Sequence, residues 1–128
     1  MKDATLRQTA AMPNAANTVN TNTIALPQSA QRPFTTNIRV RLYNSVATGA
    51  NSKNVNYSVY ATNEANGANA TLVGAAYVAA GNATNHVASE RELYLPPELD
   101  KSYVFGSATG EANGGDASDG TFGIEIVD

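Results

Sequence analysis

The sequence predicts an all-β chain, an antiparallel β-sandwich or jelly roll with an extended N-terminal arm. Three observations predict it. Apolar and polar residues alternate over roughly six or seven short stretches, turn-forming segments separate those stretches, and no window carries an amphipathic helical period.

The elements follow in chain order. Residues 1–34 are rich in Ala, Asn, Thr and Gln, with Pro13, Pro27 and Pro33 and only scattered large apolar residues such as Leu6, Val19, Ile24 and Leu26. Such a segment buries too little apolar area to offset its ordering entropy, so it is expected to be irregular alone, with one short strand around Thr23-Ile24-Ala25-Leu26. Fully extended it spans on the order of 110 Å, well beyond its own domain. The sandwich is expected over residues 35–128.

In that region Asn37 to Tyr43 sets Ile38, Val40 and Leu42 against Arg39, Arg41 and Tyr43, the pattern of a half-buried strand. Val55 to Tyr60 repeats it, with Val55, Tyr57 and Val59 on one side. Thr71 to Val78 is alanine-rich, but its eight residues lie between Asn/Gly turns, short for a helix and usual for a strand. Val87 to Leu95 places Glu90, Glu92 and Tyr94 on one face, and Pro96-Pro97 ends it because proline cannot donate to a ladder. A tight turn then leads into Ser102 to Ala108, expected to lie antiparallel beside the preceding strand. Gly110 to Gly120 reads as a glycine-rich hairpin loop, and Thr121 to Val127 closes the chain with Phe122, Ile124 and Ile126 on one face.

Composition narrows the function. At 128 residues the chain fits one domain. Charged residues make up 15% and the formal net charge is -3, which leaves no electrostatic footprint for nucleic acid or an anionic membrane. With no cysteine, disulfides, thiolate zinc sites and cysteine nucleophiles are excluded together. No apolar stretch has the length of a signal sequence or a membrane span, so a soluble protein made in the cytoplasm is expected.

No cofactor, metal or catalytic set is expected. His86 is the single histidine, so no second imidazole or thiol completes a metal set or a triad. Glu90 and Glu92 flank Arg91 and read as a solvated strand face rather than a glycosidase pair. The loop Asn113 to Gly120 supplies oxygens, but its Asp116 and Asp119 do not match a calcium-loop spacing, and Gly114-Gly115 is not a phosphate loop. What remains is protein binding. Arg39, Arg41 and Tyr43 share a strand face, and Arg and Tyr are enriched where interfaces concentrate their energy, although an exposed strand with two solvated arginines has the same pattern. Ile24 and Leu26 are the expected apolar anchors of the arm.

The charged start Lys2 to Arg7, the Ala/Asn/Thr stretch, the short Thr23-Ile24-Ala25-Leu26, and small strands ending in a Gly/Asp loop and Phe122-Gly123-Ile124-Glu125-Ile126 together resemble the capsid decoration, or cement, proteins of tailed bacteriophages. The resemblance rests on layout and composition over most of the chain. It implies a structural virion protein that binds the capsid exterior and clamps adjacent major capsid subunits, with other copies of itself as further partners and no catalytic residues. The rival expectation is a carbohydrate- or receptor-binding sandwich from a tail fibre or adhesin, with Tyr43, Tyr60 and Tyr94 on outward faces.

Overall fold

Each period-two stretch forms a strand in the computed structural model, which describes residues 7–14, 17–26, 39–46, 54–79, 88–95, 101–111 and 117–127. The strands are β1 (Arg7–Ala11), β2 (Thr18–Asn20), β3 (Ile24–Ala25), β4 (Arg39–Asn44), β5 (Val55–Thr62), β6 (Thr71–Ala79), β7 (Ser89–Tyr94), β8 (Tyr103–Gly110) and β9 (Thr121–Val127). All pairings are antiparallel, and no helix occurs among the described residues. Sheet I runs β1-β9-β4-β7. Sheet II runs β2-β8-β5-β6, with β3 also paired to β8.

With β2 and β3 counted as one interrupted strand, the chain passes from one packed sheet to the other at every connection except β5–β6, which pair within sheet II, the layout of a jelly roll. Thr21 bridges the interruption. Its N–H donates to the Gly106 carbonyl at 2.9 Å, and its hydroxyl accepts the Gly106 N–H at 3.0 Å, so β8 loses no backbone bond where its partner breaks.

The core lies between the sheets. Val40 and Leu42 from β4 and Phe122, Ile124 and Ile126 from β9 meet Val55, Tyr57 and Val59 from β5 and Val104 and Ala108 from β8. The rings of Tyr57 and Phe122 meet across it at 5.5 Å between centroids, tilted by 58°.

Three expectations are corrected. The first is the division at residue 34. Residues 7–26 are not an arm: β1 completes sheet I, β2 and β3 complete one edge of sheet II, and Met12, Ile24 and Leu26 belong to the core. The physical reason is that edge strands bury few side chains. Their polar residues face water while backbone bonds to β8 and β9 hold them, and composition does not record backbone bonds. Residues 1–6 and 27–38 lie outside the described residues, as do most of the residues of the turn from Pro96 to Lys101.

The second is the pairing of the strands on either side of Pro96-Pro97. β7 belongs to sheet I and pairs with β4, whereas β8 belongs to sheet II between β5 and the β2/β3 edge. The third is the glycine-rich hairpin. β8 and β9 lie in different sheets, so the segment between them crosses the sandwich. A turn-rich spacer looks the same in sequence whether it closes a hairpin or changes sheets.

Candidate functional site

The outward side of sheet I carries the charged residues singled out in the sequence. Strand alternation puts Val40 and Leu42 inward and Arg39, Arg41 and Tyr43 outward. Register then lines up Arg7 with Glu125, Glu125 with Arg41, and Arg41 with Glu92 across all four strands. Arg7 Nε donates to Glu125 Oε2 at 3.1 Å, and Arg41 Nη1 donates to Glu125 Oε1 at 2.7 Å. Arg41 also reaches diagonally to Glu90, with Nε 2.7 Å from Oε2 and Nη2 bonded to the same oxygen. Arg39 Nη1 donates to Glu92 Oε1 at 2.9 Å.

This ladder has a covered centre. Glu125 points to the solvent side of its sheet, yet its side chain is only 2% exposed because Arg7 and Arg41 close over it. Burial works against the charge on Arg41, but its hydrogen bonds and Coulombic attraction to Glu90 and Glu125 outweigh that and raise its pKa above the ordinary arginine value. The Arg41 guanidinium also sits 4.6 Å above the Tyr43 ring. That ring lies against Gly123, where an added Cβ would come within 2.6 Å of the Tyr43 hydroxyl. Glycine at position 123 lets the ring lie flat.

Arg39, Arg41 and Tyr43 are therefore together, as the sequence indicates. Glu90 and Glu92, read as a solvated face, are their ion partners, which spacing along one strand cannot reveal. Ile24 and Leu26 are not with them: both lie in the chain's own core at 1% and 2% exposure, where they cannot also anchor on a neighbour. The three tyrosines are divided, with Tyr43 and Tyr94 on sheet I and Tyr60 on sheet II. His86, Asn113 and Asp116 lie outside the described residues.

The outward side of sheet II is different in kind. Tyr60 of β5 stacks nearly parallel on Phe105 of β8, with centroids 5.5 Å apart and planes 9° from parallel. The loop joining β5 to β6 folds back over this pair. Gly67 takes φ 84° and Asn69 takes φ 54°, a left-handed conformation that glycine and asparagine tolerate. Thr23 pins the loop by donating to the Ala65 carbonyl at 2.6 Å. Between loop and β2 lies a hollow of about 240 Å³, floored by Tyr60 and Phe105 and bordered by Thr18, Asn20 and Ser107. A smaller one of about 110 Å³ adjoins it beside Asn22 and Asn66. Among the described residues no charged side chain lines either.

No protein-family model matches the chain, and no curated protein sequence matches it. Solved structures do. VP2 of infectious bursal disease virus, as a subviral particle, is 11% identical, with a TM-score of 0.50 over 98% of this chain and 29% of that one. A chain of the Gx strain of the same virus is 10% identical, with a TM-score of 0.51 over 94% of this chain and 29% of that one. The K3 cleaved adhesin domain of Lys-gingipain from Porphyromonas gingivalis is 18% identical, with a TM-score of 0.45 over 89% of this chain and 63% of that one.

The likeness is one of fold. The chain spans less than a third of the length of the viral chains it matches. The matches cover 98% and 94% of this chain, nearly its whole length. The hollow on sheet II was not singled out in the sequence. Its signal was present: outward positions of β5 and β8 hold two aromatics, Tyr60 and Phe105, among Asn56, Ser58, Ser107 and Thr109.

Proposed function

We propose that the chain is a structural module of a bacteriophage particle that binds the capsid exterior, bridges adjacent major capsid subunits and contacts other copies of itself, without catalysing a reaction. The observation that carries this reading is the outward side of sheet I. Arg7 and Arg41 close over Glu125, while Arg41–Glu90 and Arg39–Glu92 pair around that centre, so the face offers a fixed centre and a looser rim of both signs rather than a net charge. Such a pattern suits a protein surface with a complementary arrangement, and at its fixed centre little side-chain entropy is left to lose on docking.

At the edge of this face Tyr94 is 64% exposed, a large aromatic surface beside Arg39 in the register. Tyr and Arg together are the residue types on which interfaces concentrate their binding energy. The viral fold likeness supports the particle setting. Many copies around a closed shell would gain by multivalency even if each contact is modest.

The test is co-sedimentation with purified capsids that lack the protein. Saturable binding and a raised capsid melting temperature are expected. The pair of substitutions Tyr94→Ala and Arg39→Ala should weaken binding by about tenfold or more, the scale of a lost hot spot, with the isolated protein still folded. Absence of saturable binding would count against the reading.

A further inference from the structure

We infer that the hollow on the outward side of sheet II is a binding site for a neutral saccharide. This inference does not rest on the capsid reading, since it draws on a different face of the sandwich.

The chemistry of the lining selects the ligand class. Because none of the described residues lining the hollow is charged, the lining favours no phosphate, sulfate or metal ion over water. Its polar groups are amides and hydroxyls. The side chains of Asn20 and Asn22 make no hydrogen bond to other described residues, so both amides are open to a ligand. An amide presents a donor and an acceptor side by side, which matches the adjacent hydroxyls of a sugar ring. The Ser107 hydroxyl adds a group able to act as either.

The floor supplies the second half of the recognition. A sugar ring has one face made of C–H groups, and an aromatic surface covers it without leaving a polar group unpaired. Tyr60 is half-buried and held in orientation by stacking on Phe105, which is itself covered by Gly67 of the folded-back loop. The aromatic floor is therefore fixed before any ligand arrives, which lowers the cost of binding.

Size limits the ligand. The two adjoining hollows, about 240 and 110 Å³, are each smaller than the roughly 300–1,000 Å³ of sites that enclose a drug-sized molecule. They suit one or two sugar rings lying across the sheet, part of a longer chain that continues into solvent. A single shallow contact of this kind is weak. It becomes useful where many copies act on a polymer with repeating units. Because the hollow and the charged ladder lie on opposite outer faces of the sandwich, both can be occupied at once.

The experiment uses the full chain against an array of neutral oligosaccharides, followed by ¹H–¹⁵N chemical-shift titration with the strongest binder. The expected result is binding with Kd at or below about 1 mM, with shifts concentrated at Asn20, Tyr60, Gly67 and Ser107. Asn20→Ala should weaken it by about tenfold, near the worth of one well-made hydrogen bond, at an unchanged melting temperature. It should leave capsid co-sedimentation as it was, so the two readings can fail separately. The inference is overturned if no neutral saccharide binds at about 10 mM, if the shifts map elsewhere, or if Asn20→Ala binds as tightly as the native chain. Binding of an extended peptide but no saccharide would also overturn it.

Discussion

The two outer faces of the sandwich are built from strands of the same kind and end in opposite states. On sheet I, three arginines and three glutamates satisfy one another across four strands. On sheet II, the amides of Asn20 and Asn22 border a stacked aromatic pair with no side-chain partner among the described residues. A face that satisfies itself holds its shape and docks as a preset surface. A face that leaves donors and acceptors open is ready for a ligand that brings its own. The difference teaches where to look for each kind of binding, and it can be tested by damaging the faces separately and together.

Removing residues 1–26 damages both, because β1 supplies Arg7 to one face and β2 supplies Thr18 and Asn20 to the other. It also takes Met12, Ile24 and Leu26 from the core. Each buried side chain of this size contributes about 1.5–3 kcal/mol, and a domain's whole stability is about 5–15 kcal/mol. The truncated chain is expected to lose its cooperative thermal transition, read by near-ultraviolet circular dichroism. A truncated protein that still melts cooperatively would restore the N-terminal segment to the status of an arm.

That outcome bears on how far the sequence could be read. The all-β class and seven of the strands were legible, β3 as the short Thr23 to Leu26 stretch and most of the others because period-two alternation is strong where one face is buried, as in Val55, Tyr57 and Val59. β1 and β2 were not, because their contribution is mainly backbone pairing: β1 sets only Gln8 and Ala10 partly inward, and β2 only Val19. Sheet membership was also hidden, since nothing local in Pro96-Pro97 distinguishes a hairpin from a crossover. Of the candidate site, Arg39, Arg41 and Tyr43 were legible as one face of β4. Their partners were not, because Glu125 lies 84 positions from Arg41 in the chain and joins it only through the β4–β9 register.

A smaller effect is expected from Glu125→Gln, which keeps the shape of the side chain and removes its charge beneath Arg7 and Arg41. Breaking a fully buried pair costs about 3–5 kcal/mol. Here Arg7 and Arg41 stay 49% and 28% exposed, so water can take over part of their solvation. The expected loss is about 1–2 kcal/mol by urea unfolding at unchanged m-value. Asn20→Ala on the other face should stay within about 0.5 kcal/mol of the native chain. Equal stability of the two variants would erase the contrast between a self-supporting face and an open one.

The smallest effect belongs to the rim of the ladder. Arg39 and Glu92 pair at 2.9 Å with side chains 34% and 45% exposed, so water competes for both charges. A double-mutant cycle with Arg39→Ala and Glu92→Ala should return a coupling below about 0.5 kcal/mol. That coupling should vanish near 1 M salt, where the screening length falls to about 3 Å. The salt response separates rim from centre, because Glu125 lies beneath its partners and is screened less. Alkali is a poorer probe of Arg41, whose raised pKa keeps the guanidinium charged across the working range and releases its proton only as pH rises through that value. A rim coupling as large and as salt-resistant as the loss at Glu125 would mean that the whole face of sheet I acts as one rigid network.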